Sequence, residues 1–179
     1  MKENVADLYD HIKGESRGLS RLLEKIPGLG GYMEKGRRRE ADQLLRDTIS
    51  ARLEASRLRL SSTHQELGRD IIKAMDHAEP LGRADKLLMG LIGKIKDAPQ
   101  GYAGFFDAVK VREEDLARIY AFDESMLNHV DEIDAAIAAL EKAVREDGDI
   151  GSSIRRLTSV LQLANQDFAN RNEVILGIG

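Results

Sequence analysis

The sequence predicts an all-α protein: an elongated antiparallel bundle of about five helices, organised around one very long helix over residues 33–77. Three observations predict it. Apolar residues recur at steps of three and four through most of the chain, with no useful run of period two. With 42% apolar, 32% charged and only 4% aromatic residues, the composition suits helices that pack through aliphatic seams. The 179 residues are enough for one sizeable core and few enough for a single domain over 1–179.

The first helix is expected over 4–26. Val5, Leu8, Tyr9, Ile12, Leu19, Leu22, Leu23 and Ile26 are expected on one face, and Pro27 with Gly28, Gly30 and Gly31 forms the turn that ends it. The second opens near Met33. Its stripe reads Leu45, Ile49, Leu53, Leu60, Leu67, Ile71 and Met75, with Ser56 and His64 in its gaps. Continued to His77, this helix would be on the order of 70 Å long. Leu53, Leu60 and Leu67 stand one heptad apart, but Ser56, Thr63 and Asp70 at the partner positions are polar. That pattern describes the spine of a bundle rather than a two-stranded zipper. Gly68 is where a bend is expected.

Glu79-Pro80 marks a break, and Leu81, Ala84, Leu87, Leu88, Leu91, Ile92 and Ile95 give a third helix over 81–97. Residues 98–112 form the one long irregular stretch. Glu113, Glu114 and Asp115 place acidic charge on the first turn of a fourth helix over 113–146, where the macrodipole favours it. Asp147-Gly148-Asp149 ends that helix. A fifth over 150–172 carries Ile154, Leu157, Val160, Leu161, Ala164 and Phe168. Antiparallel packing of the second, fourth and fifth helices would bury the longest stripes, with the other two covering the ends.

Several chemistries are excluded or unsupported. With no cysteine, the chain has no disulfide, thiolate metal site or cysteine nucleophile. No histidine follows a glutamate by three residues, so the di-iron pattern of helical bundles is absent. His64 lies on the apolar stripe and reads as a buried, hydrogen-bonded core residue. Gly31 to Gly36 has the glycine spacing of a phosphate loop, but Arg37 and Arg38 replace the lysine and the hydroxyl. No metal and no cofactor is expected, and no catalytic residue is assigned. A net charge of −4 argues against general nucleic-acid binding. A charged N-terminus without an apolar core, and the lack of any long apolar run, lead to the expectation of a cytoplasmic protein.

Two clusters stand out. Tyr32, Lys35, Arg37, Arg38 and Arg39 form the one basic cluster, a candidate site for an anion or a partner. It also has two structural readings: a solvated helix start, or an ion-pair zone against the fourth helix. From Glu113 to Asp149 twelve acids face three bases, a balance of 3 − 12 = −9. The second cluster is the loop with Tyr102, Phe105, Phe106, Asp107 and Lys110. Its aromatics could anchor a partner or cap the end of the bundle.

Two stretches carry a resemblance. One runs from Pro27 through Gly28, Gly30, Gly31, Tyr32, Glu34, Lys35 and Arg37 to Arg39, then Ala41, Asp42, Leu44, Leu45 and Arg46. The other runs from Gly101 to Val111. With this pair of signatures the chain resembles a group of prokaryotic all-helical proteins to which no activity is attached. The resemblance implies that the marked positions matter, and it supplies no catalytic residues. The leading expectation is a non-enzymatic helical interaction or scaffold module that can self-associate. The alternatives are a peripheral membrane or anion-binding protein acting through 35–39, and an enzyme or ligand carrier with a site near 102–110.

Overall fold

The computed structural model describes residues 23–28, 38–98 and 113–177; the side chains of 38, 39, 113–121 and 171–177 are outside that description. All its regular structure is helical: α1 (Arg38–Leu67), α2 (Ile71–Asp97), α3 (Glu113–Arg145) and α4 (Ile150–Gly177). Residues 23–25 are also helical, and Gly28 follows with φ +91°, a left-handed conformation that glycine adopts without a Cβ penalty. The all-α bundle is as the sequence predicts. The rest of the first helix, over 4–26, and the connection over 99–112 lie outside the described residues.

The very long helix is the main correction. The chain does not run as one helix over 33–77; α1 stops at Leu67 and α2 starts at Ile71. The reason is local capping. Gly68, Arg69 and Asp70 close a tight link through backbone bonds to His64, Glu66 and Leu67. Asp70 takes an extended backbone, and its carboxylate accepts the amides of Ile72 (3.0 Å) and Lys73 (3.2 Å). That is an N-cap, which satisfies donors a helix start leaves orphaned. The apolar rhythm runs through the link undisturbed, so periodicity alone could not reveal it.

Pro80 supplies the opposite correction. It does not end a helix but sits inside α2, and the expected third helix over 81–97 is the C-terminal part of a 27-residue element. Pro80 cannot donate to the carbonyl of Asp76, a loss worth about 3 kcal/mol in a helix interior. Downstream, Leu81, Ala84, Leu88, Leu91 and Ile95 are buried and hold the helix in place. Each buried leucine contributes roughly 1.5–3 kcal/mol, so packing offsets the proline.

The chain divides into two compact units. In one, which ends its first segment at Leu45, the described Ile26, Ala41 and Leu45 are buried, with the carboxylates of Asp42 and Asp123. The other comprises Arg46–Ala98 and Met126–Asn170 and is a four-helix bundle of two hairpins. In the α1–α2 hairpin, Arg57 pairs with Asp85, Glu54 with Lys96, and Arg46 Nη1 donates to the Ala98 carbonyl (3.3 Å). Residue numbers fall on α2 as they rise on α1, so the pair is antiparallel. In the α3–α4 hairpin, His129 meets Asp167 far from the turn at 146–149. Between hairpins the sense is parallel. Arg52 of α1 meets Asp131 and Asp134 of α3, and Arg59 meets Glu141. On α2 and α4, Asn165 Nδ2 donates to the Leu87 carbonyl (3.2 Å), and a Cβ built on Gly151 would lie 3.8 Å from His77. The expected antiparallel packing of the long helix on 113–146 is therefore corrected: ending α1 at Leu67 sends α2 back, and α3 runs alongside α1 in the same direction.

The core of this unit comes from four stripes: Ile49, Leu53, Leu60 and Leu67; Leu81 to Ile95; Met126, Val130, Ile133, Ile137, Leu140 and Val144; and Ile154, Leu157, Leu161, Ala164 and Phe168. Ser56 and Thr63 lie in the buried stripe of α1, as their heptad positions require. The Thr63 hydroxyl donates back to the Arg59 carbonyl (2.9 Å), which lets a polar residue face the core without an unmet donor. The α3–α4 link has a second pair of caps. Asp147 takes a left-handed conformation (φ 54°), Gly148 donates to the Ala143 carbonyl (2.8 Å), and Asp149 accepts the Ser152 amide (2.8 Å) to start α4.

Candidate interaction surface

The strongest electrostatic feature lies between α1 and α3. Arg52 Nη2 donates to Asp131 Oδ1 (2.8 Å) and Asp134 Oδ2 (3.0 Å). Arg59 grips Glu141 with two parallel bonds of 3.0 and 2.7 Å. The Ser56 hydroxyl lies between the Arg52 carbonyl and the Asp134 carboxylate; with one proton, it donates to one at a time. Partial burial pulls the Arg52 guanidinium down in pKa, but its bonds to Asp131 and Asp134 outweigh this and leave it raised. Arg59 is raised chiefly by its bond to Glu141. Among the described residues, Arg52 and Arg59 of α1 are thus partners for Asp131, Asp134 and Glu141 of the acidic α3. This seam fixes the register of the two parallel helices.

The histidines divide against expectation. His64, read as a core residue, is exposed on α1, because the core face there is taken by Leu60, Thr63 and Leu67. His129 is the buried one: Nε2 lies 2.7 Å from Asp167 Oδ2 and Nδ1 3.4 Å from Glu132 Oε2. It ties α3 to α4. Among the described residues no group of three His, Asp or Glu side chains is placed to hold a metal ion. No helix among them is long and apolar enough to cross a membrane.

The sequence-selected sites lie outside the description. Arg38 opens α1, but its side chain and those of Tyr32, Lys35, Arg37 and Arg39 are not among the described residues. The same holds for Tyr102, Phe105, Phe106, Asp107 and Lys110, and for any cavity beside the 98–112 connection.

The structure instead draws attention to the outer face of the α1–α2 hairpin, which sequence reasoning missed. Ile71 and Met75, assigned to the buried stripe of the long helix, are 75% and 81% exposed. Once the helix breaks at Gly68–Asp70, these residues belong to the first turns of α2, whose core stripe starts only at Leu81. Ile72 is 74% exposed and Met89 50%. On α2 the positions 72, 75, 79, 82, 86, 89 or 90, and 93 recur at steps of three and four, opposite Leu81, Ala84, Leu88, Leu91 and Ile95. That outward stripe reads Ile, Met, Glu, Gly, Lys, Met or Gly, and Gly. The side of a bundle helix facing water is ordinarily charged. Of these positions only Glu79 and Lys86 are charged, with exposed Arg83 and Asp97 beside them.

Beside this stripe, α1 and α2 enclose an open groove of about 470 Å³ with Leu58, Ser61 and His64 on one wall and Met89 and Ile92 on the other. Leu58 is exposed on its rim. The Arg57–Asp85 pair (2.9 and 3.2 Å) crosses between the walls, and its hydrogen bonds raise the Arg57 pKa. A groove that sets Leu58, Met89 and Ile92 beside Ser61, His64 and the Arg57–Asp85 pair offers a helix or an extended peptide both apolar and polar contacts. The signal legible in the sequence was the apolar residues at 72 and 89, which fit no core stripe.

Comparison with family models, with curated proteins and with solved structures yields no match for this chain.

Proposed function

We propose that the chain is a non-enzymatic helical interaction module whose binding surface is the outer face of the α1–α2 hairpin. One observation carries the reading: Ile71, Ile72, Met75 and Met89 expose apolar side chains on the side of α2 opposite its core stripe. Exposed apolar residues scattered singly are ordinary, but a patch confined to one helix face marks a contact surface. The polar groups of the bundle support the same reading, since Arg52, Arg59, Asp131, Asp134 and Glu141 bond to each other. A cytoplasmic setting goes with it, because a cysteine-free chain needs no oxidising compartment.

The test is site-specific photo-crosslinking in cells. A photoreactive residue at Met75 or Met89 is expected to give a discrete adduct with a polypeptide, and one at exposed Arg156 on α4 is not. No adduct from either α2 position would refute the reading.

A further inference from the structure

The outward stripe of α2 holds three glycines, Gly82, Gly90 and Gly93, inside a continuous helix. Glycine weakens a helix interior, and it persists where something must come close. Among the described residues nothing beyond the helix's own backbone comes close: a Cβ added at any of the three would meet no other atom within 4 Å. The packing of the described residues therefore does not require them. The other end of the same stripe carries the opposite feature, large apolar side chains that stand mostly exposed, Ile72 and Met75.

The two halves complement each other only when the stripe is reversed. We infer that α2 packs antiparallel on α2 of a second copy of this chain, about a two-fold axis between residues 82 and 83, so that Ile72 meets Gly93, Met75 meets Gly90 and Glu79 meets Lys86 of that copy. This rests on the interaction-module reading and names the partner. Each copy offers knobs at one end and recesses at the other, which is what an isologous interface demands.

The charges select this register. A parallel pairing sets Glu79 against Glu79 and Lys86 against Lys86. An antiparallel pairing slipped by one heptad sets either Lys86 or Glu79 against itself. Only the proposed register places both pairs opposite in sign, and repulsion in the others gives specificity. Glu79 also pairs with Arg83 on its own helix (2.6 Å), an exposed i,i+4 contact that leaves carboxylate oxygen free to accept from a lysine across the axis. The stripe lies opposite the core face of α2, so the bodies of the two copies stay apart.

The contact is one helix wide and, over residues 72–93, about 33 Å long. That is smaller than a standard interface, so a dissociation constant on the order of micromolar is expected. Light scattering after size exclusion across roughly 1 µM to 1 mM should show one chain passing to two. Met75→Glu should weaken association at least tenfold while leaving the helical signal intact, because the residue is 81% exposed in the monomer. Cysteine variants read the register in a chain that has no other thiol. Gly82→Cys should form a disulfide with itself, a mixture of Met75→Cys and Gly90→Cys should link to each other, and Met75→Cys alone should not. A chain that stays monomeric to about 1 mM, or a 75–75 link in place of 75–90, overturns the inference. If the chain is monomeric and Met75 still crosslinks a different polypeptide, self-association fails and the interaction-module reading stands. If neither occurs, both fail.

Discussion

Replacing Gly82, Gly90 and Gly93 together by alanine should stabilise the monomer, and the size of the gain follows from the structure. All three lie in the interior of α2, none has a positive φ, and among the described residues an added methyl would meet no atom within 4 Å beyond the helix's own backbone. There is no clash to subtract and no left-handed backbone to strain. What remains is intrinsic propensity, about 0.8–1 kcal/mol per glycine relative to alanine. Gly82 and Gly90 are about 12 Å apart along the axis, far enough for their effects to add. The sum is about 2–3 kcal/mol, or a rise of about 5–10 °C in Tm for a chain of this length. Urea and thermal unfolding followed by circular dichroism would measure it, at concentrations where light scattering gives the mass of one chain. An unchanged or lowered midpoint there would refute the reasoning, because it would mean that the glycines serve the monomer. The same triple variant should self-associate less than the wild type. A gain in folding together with a loss in association is the signature of residues kept for an external contact.

Three further outcomes follow from the caps and the core. Asp70→Ala removes the acceptor for the Ile72 and Lys73 amides and should cost about 1 kcal/mol in urea unfolding, with Asp70→Asn retaining most of it. Leu157→Ala, at a position with no exposed surface in the four-helix unit, should cost about 2–5 kcal/mol, and a loss below about 1 kcal/mol would show that this core is not tightly packed. Asp149 gives a pH dependence. Its carboxyl is held below the ordinary value by the Ser152 amide, then by the Ser152 hydroxyl, with smaller help from Arg155 and His77 against desolvation. The unfolded chain binds that proton more readily, so the contribution is complete above the ordinary carboxylate range and is lost as pH falls through the depressed folded value. Urea midpoints of wild type and Asp149→Asn should therefore differ near neutrality and converge below about pH 4. A constant difference down to acid would contradict the assignment.

Much of this was legible in the sequence, and the failures have one pattern. The fourth and fifth helices were placed within a residue of their observed starts, because Glu113–Asp115 and Asp147-Gly148-Asp149 announce their ends chemically. At Gly68-Arg69-Asp70 a comparable signal lay inside an unbroken apolar rhythm and was read as a bend. Pro80 erred the other way: a strong local breaker was overridden by the burial of Leu81, Ala84 and Leu88. Both cases set a short-range capping or steric preference against long-range packing, and a single sequence does not say which is larger.

The sequence by itself determined that the chain is helical, that leucine and isoleucine stripes build its core, and that the acidic run of α3 needs basic partners. These follow from periodicity and charge, which are properties of the chain. Only the tertiary structure decided which way α2 runs, that His129 rather than His64 is buried, that Arg52 and Arg59 pair with Asp131, Asp134 and Glu141 of α3, and that Ile71, Ile72 and Met75 face outward. Each of these depends on where a helix turns back. That point is set by a three-residue link, whose capping bonds amount to a few kcal/mol but reverse the direction of everything that follows.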